Sequence, residues 1–264
     1  MSQTSTTPQV TGKMFLYERP VLLNPEEHGA LGIKALDRAF DFCAKIRAAP
    51  ITISEVSVAS KNYPIIFASV EQPMPLAVLG LVDDVNLFVD EDGKWEQYAY
   101  IPGYIRRYPF GVARDEQSDR YAIVLDAGFE GLSADAEGKL FENGEASQFT
   151  KDAIEFSRNY EDDRRMTDRF VELLKKFDLL APQTAQYTPS TGGDPVTFAQ
   201  YVGFEEKRLQ EMNDADFLEV RKAGILPILY AQLLSMTNWR LLMNKRANRL
   251  NLTEDQLLTS GAGA

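Results

Sequence analysis

From Ser147 onward, apolar residues recur at steps of three and four: Phe149, Ile154, Phe156, Tyr160, Met166, Phe170, Leu173, Leu174 and Phe177, with charges between them. That period predicts a long amphipathic helix, or two helices broken near Asn159. Upstream the apolar positions come instead in short runs. Stretches 63–68, 76–81 and 121–125 read as strands, and Leu140-Phe141 as a short pairing strand. Around Asp90-Glu-Asp-Gly93, two apolar runs flank a turn, which predicts a hairpin over 86–98. Residues 31–46 fit two patterns. Leu36, Phe40, Cys43 and Ile46 form a helical stripe, whereas Phe40 and Phe42 alternate as in a strand.

Local signals set the boundaries. Asn24-Pro25-Glu26-Glu27 combines a capping residue, a proline at the first helical position and first-turn carboxylates, and His28-Gly29 limits it to one turn. Thr52-Ile-Ser-Glu55 is a capping box opening a short helix to about Asn62. A polar linker is expected over 179–195, where three prolines and Gly192-Gly193 occur, then a short strand over 198–204. The last third reads as helical: a turn-rich piece over 205–212, a helix capped by Asn213 and stopped at Gly224, and a final helix from Pro227 to about Leu250. The fold class is therefore α+β, with a mostly antiparallel sheet from the N-terminal half and helices from the C-terminal half. The expected organisation is a leader over 1–13, one domain over 14–250 (β-rich to 146, helical beyond) and a flexible tail over 251–264.

Composition narrows the classes. With 44% hydrophobic and 25% charged residues, the 264-residue chain has the make-up of a globular protein. A net charge of -11 and a pI near 4.7 disfavour broad binding to nucleic acid or an anionic membrane. A single cysteine excludes an intrachain disulfide framework and fits a reducing, cytoplasmic setting. One cysteine and one histidine cannot make a common Cys/His zinc site. The most apolar run, 225–236, is too short to span a bilayer and contains Pro227 and Gln232, so no membrane insertion is expected. No cofactor or metal is implied.

The richest chemistry lies in Tyr98-Ala-Tyr-Ile-Pro-Gly-Tyr-Ile-Arg-Arg-Tyr-Pro-Phe110, echoed by Tyr63-Pro-Ile-Ile-Phe67. Read as extended backbone, Tyr104, Arg106 and Tyr108 form one stripe. An arginine between tyrosines can present its fork to a carboxylate or phosphate. Alternatively, the rings and the guanidinium staple the sheet to the helices. Arg107 faces the other way in a regular strand and is expected to pair with a nearby acid. The candidate ligand-binding set is Tyr63, Phe67, Tyr104, Arg106, Arg107 and Tyr108.

Other candidates carry less. His28 is the only side chain with an ordinary pKa near neutrality, but a capping or surface role is favoured over general base. Cys43, in Phe40-Asp-Phe-Cys43, reads as an inert small hydrophobe. Asp83-Asp84 and Asp90-Glu-Asp92 lack a full cation-loop pattern and read as solvated turns. Glu161-Asp-Asp-Arg-Arg165 reads as an exposed, charge-paired helix face. Neither a Gly-rich phosphate loop nor a G-x-S-x-G elbow occurs.

Several of these stretches together resemble the SapC family of bacteria: Tyr63-Pro-Ile-Ile-Phe67, Leu79-Gly-Leu81, Asn86-Leu-Phe-Val89, Gly93-Lys-Trp95 and Tyr100-Ile-Pro-Gly-Tyr-Ile-Arg-Arg-Tyr-Pro-Phe110. His28 after Asn24-Pro25-Glu26-Glu27 and the ending Gly224-Ile-Leu-Pro-Ile-Leu-Tyr-Ala-Gln-Leu-Leu-Ser235 extend the likeness over about residues 14 to 250. The family is distinct from a peptide-transport permease of the same name. Its members resemble proteins linked by name to bacterial surface layers, and their genes accompany flavin-dependent tryptophan-halogenase-like proteins and TonB-dependent receptors. The resemblance implies no catalytic residue. The expectation is a non-catalytic binding or accessory protein that recognises a protein segment or a small acidic ligand. The alternative is an enzyme acting on an amino-acid or peptide substrate, which needs His28 in the same pocket as Arg106. Oligomeric state is left open.

Overall fold

A computed structural model describes residues 13–81, 85–115, 120–189, 192–253 and 256–257. Asp83 and Asp84, nearly all of the expected leader and most of the tail lie outside the described residues.

In chain order the elements begin with β1 (Pro20–Leu22), α1 (Pro25–His28) and β2 (Gly32–Ile33). Next come β3 (Ala48–Pro50), α2 (Val56–Ala59), β4 (Ile65–Phe67), β5 (Pro75–Val78) and α3 (Gly103–Arg106). Strands β6 (Phe110–Asp115) and β7 (Arg120–Asp126) precede four short ones, β8 (Leu132–Ser133), β9 (Gly138–Lys139), β10 (Phe141–Glu142) and β11 (Glu145–Ala146). The long helix α4 (Gln148–Lys176) leads to β12 (Leu180–Tyr187) and β13 (Val196–Phe204). The chain continues through α5 (Glu206–Gln210), α6 (Asp214–Lys222), α7 (Leu226–Ser235) and α8 (Asn238–Leu250). All strand pairings are antiparallel, so the α+β class is observed.

The contacts define two compact units, Met1–Ala39 with Arg106–Asp162, and Phe40–Ile105 with Asp163–Ala264. The first holds a sheet of order β1-β7-β6, a second of order β8-β2-β9 and the β10-β11 pair. Its core is built on Phe110, Leu125 and Leu140. In the second unit one sheet runs β12-β13-β4-β5-β3. Its core joins Phe67, Phe170, Leu174, Leu179, Phe204 and Leu229. Within that unit the buried Gln232 amide donates to the Ile65 carbonyl at 2.8 Å and accepts from the Phe204 N–H at 3.4 Å. A polar side chain inside an apolar helix thereby satisfies the free ends of two strands.

Caps fall as their chemistry dictates. Asn24 Oδ1 accepts from Glu27 N–H at 2.8 Å, and Asn213 Oδ1 from Asp216 N–H at 3.0 Å. The Thr52–Glu55 capping box is formed and opens a 3₁₀ turn that continues as α2. Gly93, at φ 68°, closes the Asp90 turn with an N–H to the Asp90 carbonyl. Asp90 Oδ1 accepts from Asp92 and Lys94 N–H groups, which gives this acidic turn a structural role.

The first of the two readings for the stretch after Ser147 is observed, a single α4 that runs unbroken through Asn159. Three expectations are corrected. The hairpin over 86–98 reduces to one bridge, Val89 with Trp95. The final helix is two, α7 and α8, separated at Met236-Thr237, where the Thr237 hydroxyl bonds back to the Leu234 carbonyl. Most consequentially, the first half of the expected linker is β12, paired along its whole length with β13.

Candidate functional site

The Tyr98–Phe110 segment is not one extended strand. Its middle winds into α3, and a turn with a cis Tyr108–Pro109 peptide bond then delivers the chain to β6. The buried carboxylate of Glu55 fixes the start of this arrangement. Its Oε2 accepts from the Thr52 N–H and hydroxyl, while Oε1 accepts from the Tyr100 hydroxyl at 2.9 Å and the Gly103 N–H at 2.6 Å. One residue therefore completes the capping box and holds the entry to α3.

Within the first unit a cavity of about 310 Å³ opens beside the end of this segment. Its walls are Phe110, Phe129, Phe149, Phe156 and Tyr108, and its cationic lining residues are Lys34, Arg106 and Arg107. None of the described lining residues is acidic. The exposed Arg106 places its guanidinium over the Phe156 ring, 5.1 Å from the centroid. Arg107 is buried, lies 4.6 Å over the Tyr160 ring and pairs with Glu161 at 3.4 Å. The acid expected for Arg107 is thus 54 residues away in sequence. Glu161 in turn is not on a solvated face, and its side chain is only 13% exposed.

Tyr108 forms one wall and is held from both sides. Its ring meets Phe129 edge-on at 5.5 Å and Tyr17 at 5.4 Å. Its hydroxyl donates to Asp126 Oδ2 at 3.1 Å. Asp126 is fully buried and also accepts the N–H groups of Glu18 (2.9 Å), Arg19 (2.8 Å) and Gly128 (2.9 Å). Burial, reinforced by the adjacent Asp126 charge, pushes the Tyr108 phenol well above the ordinary tyrosine range.

The remaining sequence candidates are placed differently. Tyr63 and Phe67 are core side chains of the second unit at 0% and 3% exposure, so neither offers a face to a ligand. Tyr63 donates its hydroxyl to the Tyr100 carbonyl and meets Phe88 edge-on at 4.6 Å. Tyr104, on α3, is half-buried and is not a lining residue of the cavity. His28 is buried, with Nδ1 against the backbone of Asn24, and it too is outside the lining. Cys43 is fully buried, and desolvation raises its thiol to about 12. Among the described residues no group of His, Cys, Asp and Glu is placed to hold a metal ion. No helix there is long and apolar enough to cross a membrane.

Lys34, Phe129, Phe149 and Phe156 were not singled out as site residues from the sequence. A usable signal did exist, because Phe149 and Phe156 are seven apart on a helix and so share a face. Comparison with known families finds a match to the model described as SapC over residues 23–242. Neither the curated proteins nor the solved structures gave a match.

Proposed function

The chain belongs to the SapC family, and from that premise we propose that it is a non-catalytic binding protein for a small acidic ligand. Arg106, Arg107, Tyr108 and Lys34 together with the surrounding phenylalanines form the binding site. One observation carries the reading. On a chain of net charge -11, the described residues that line the cavity in the first unit include three cationic ones and no acidic one. Arg107 is paired with Glu161, and Arg106 and Lys34 are the other two cationic residues that line the cavity. The volume suits a small molecule, and the apolar walls suit one with a ring or alkyl body. In this reading the protein works in the bacterial cytoplasm, where its lone buried thiol needs no oxidised partner.

The test uses 3-phenylpropionate as a probe, with 3-phenylpropanol and phenethylamine as controls, each titrated calorimetrically. The acid is expected to bind at least tenfold more tightly than either control, a difference of about 1.4 kcal/mol. Arg106→Ala is expected to remove that preference while leaving the melting temperature nearly unchanged, since its side chain is exposed. Equal binding of all three probes refutes the acidic-ligand reading. An Arg106→Ala protein that unfolds shows the guanidinium to be structural.

A further inference from the structure

In the second unit the sheet ends at β12, an eight-residue strand with a neighbour on one side only among the described residues. The pairing fixes which backbone groups face outward. Leu179 C=O accepts from Glu205 N–H at 2.9 Å, and the register runs through Ala181 with Gly203, Gln183 with Tyr201 and Ala185 with Ala199. It then shifts by one at an extra β13 residue, Phe198, so that Gln186 faces Thr197 while β12 itself stays continuous. Odd-numbered residues therefore direct their amides at β13 and even-numbered ones direct theirs away. Arg208 agrees with this assignment, because its guanidinium reaches the outward carbonyl of Leu180 at 2.9 Å.

The two halves of this edge differ. Arg208 covers Leu180, and Pro182 has no N–H to offer, so the first half is guarded. From Thr184 onward the described residues supply neither a covering side chain nor a proline, and the irregularity at Ala185/Gln186 places its extra residue on β13 and not on the edge strand. The outward N–H and C=O groups of Thr184 and Gln186 meet no hydrogen-bonding partner among the described residues. The side chains of Thr184, Gln186 and Thr188 are exposed, while Ala181 and Ala185 are buried beneath. Charge usually protects such an edge. Here the eight residues of β12 and the nine of β13 carry none, although 25% of the chain is charged.

We propose that this open section pairs antiparallel with the same section of a second copy of the chain. Outward amides recur at every second residue, so a two-fold axis at Gln186 sets Gln186 against its own copy and Thr184 against Thr188. Both partners then exchange the same donors and acceptors. Self-pairing brings no like charges together at the strand, despite the net charge of -11. The pairing section is short, so the dimer is weak and concentration-dependent, in the micromolar to millimolar range.

Sedimentation equilibrium of the full chain across that range tests the proposal. Gln186→Lys and Gln186→Glu each place like charges across the axis and are expected to weaken self-association by about tenfold or more. An equimolar mixture of the two variants is expected to associate at least as well as the parent chain. Thermal melts control for folding, and Thr184→Lys mixed with Thr188→Glu is a second complementary pair should position 186 disturb the fold. A parent chain monomeric throughout overturns the proposal, whether or not another protein's strand can occupy the edge. So does a dimer that neither charge variant weakens, or a Lys/Glu mixture that stays monomeric while both variants melt like the parent.

Discussion

Replacing Asp126 by Asn keeps the shape of the side chain and inverts one half of its hydrogen bonding. The amide oxygen in place of Oδ1 still accepts from Arg19 and Gly128. The new NH₂ group then faces the Glu18 N–H, a second donor, where the carboxylate accepted at 2.9 Å. A hydrogen bond to a charged acceptor is worth roughly 1.5–3 kcal/mol, and a buried donor left unpaired costs about 1–3. Glu18 and Arg19 are exposed residues, so water relieves part of that loss. Tyr108 can turn its hydroxyl to accept from the new amide. The expected destabilisation is about 2 kcal/mol, or roughly 4–8 °C in melting temperature for a chain of this size. Tyr108→Phe removes one bond and leaves three donors on the carboxylate, so about 1 kcal/mol or less is expected. Urea denaturation of both variants measures the difference, and ultraviolet titration reads the phenol. Loss of the Asp126 charge lets Tyr108 ionise at lower pH than in the parent, while burial still holds it above free tyrosine. Should Asp126→Asn prove no more destabilising than Tyr108→Phe, the carboxylate is not organising the Glu18–Arg19 turn and this account of the cavity wall fails.

Other consequences are as direct. Arg107→Ala leaves Glu161 without its buried partner and Tyr160 without its cation, so a loss of about 2 kcal/mol is expected in chemical denaturation; a neutral result assigns Arg107 no structural role. Gln232→Leu strands the Ile65 carbonyl and the Phe204 N–H, and about 1–3 kcal/mol of destabilisation should appear in the same assay. Cys43 should resist thiol reagents near neutral pH until the protein unfolds, and labelling at the rate of a free thiol contradicts its burial. Its pKa, raised from 9.0 to about 12, makes the thiol's contribution to stability complete below 9 and lost as pH rises toward 12. Near pH 10 the loss is on the order of 1 kcal/mol, and Cys43→Ala should flatten that part of the stability–pH curve.

The elements legible in the sequence are those whose instructions are local. A capping asparagine, a threonine three residues before a glutamate and a run of β-branched residues each act within one turn or strand, and α1, α6, β4 and β7 form where these signals stand. β12 shows what such reading misses. Its buried face is made by Ala181 and Ala185, whose small side chains give hardly any hydrophobic period, and Pro182 argues against a strand. Pairing with β13 makes the strand, and proline is tolerated there because its missing N–H would have pointed away from the partner. The break between α7 and α8 was equally hidden, since neither glycine nor proline marks it.

For the cavity, the motif was legible but its surroundings were not. Arg106, Arg107 and Tyr108 stand adjacent in sequence, whereas Lys34, Phe129, Phe149 and Phe156 reach the same space from β2's exit, the turn after β7 and α4. The adjacent arginines show how burial divides identical chemistry. Arg107 sits under its own stacking ring and acid at 6% exposure, so its charge is used inside the fold. Arg106, one residue on the other side of the α3 terminus, keeps its guanidinium at the surface over Phe156. A ring beneath a cation lowers the entropy lost when the cation is fixed by an arriving anion, because the fork is already held in plane. Substituting Phe156 by Leu keeps the apolar wall and removes that support. It is therefore expected to weaken 3-phenylpropionate binding by a fewfold through Arg106 while leaving 3-phenylpropanol unaffected. A change of equal size for both probes would mean that Phe156 acts as wall alone.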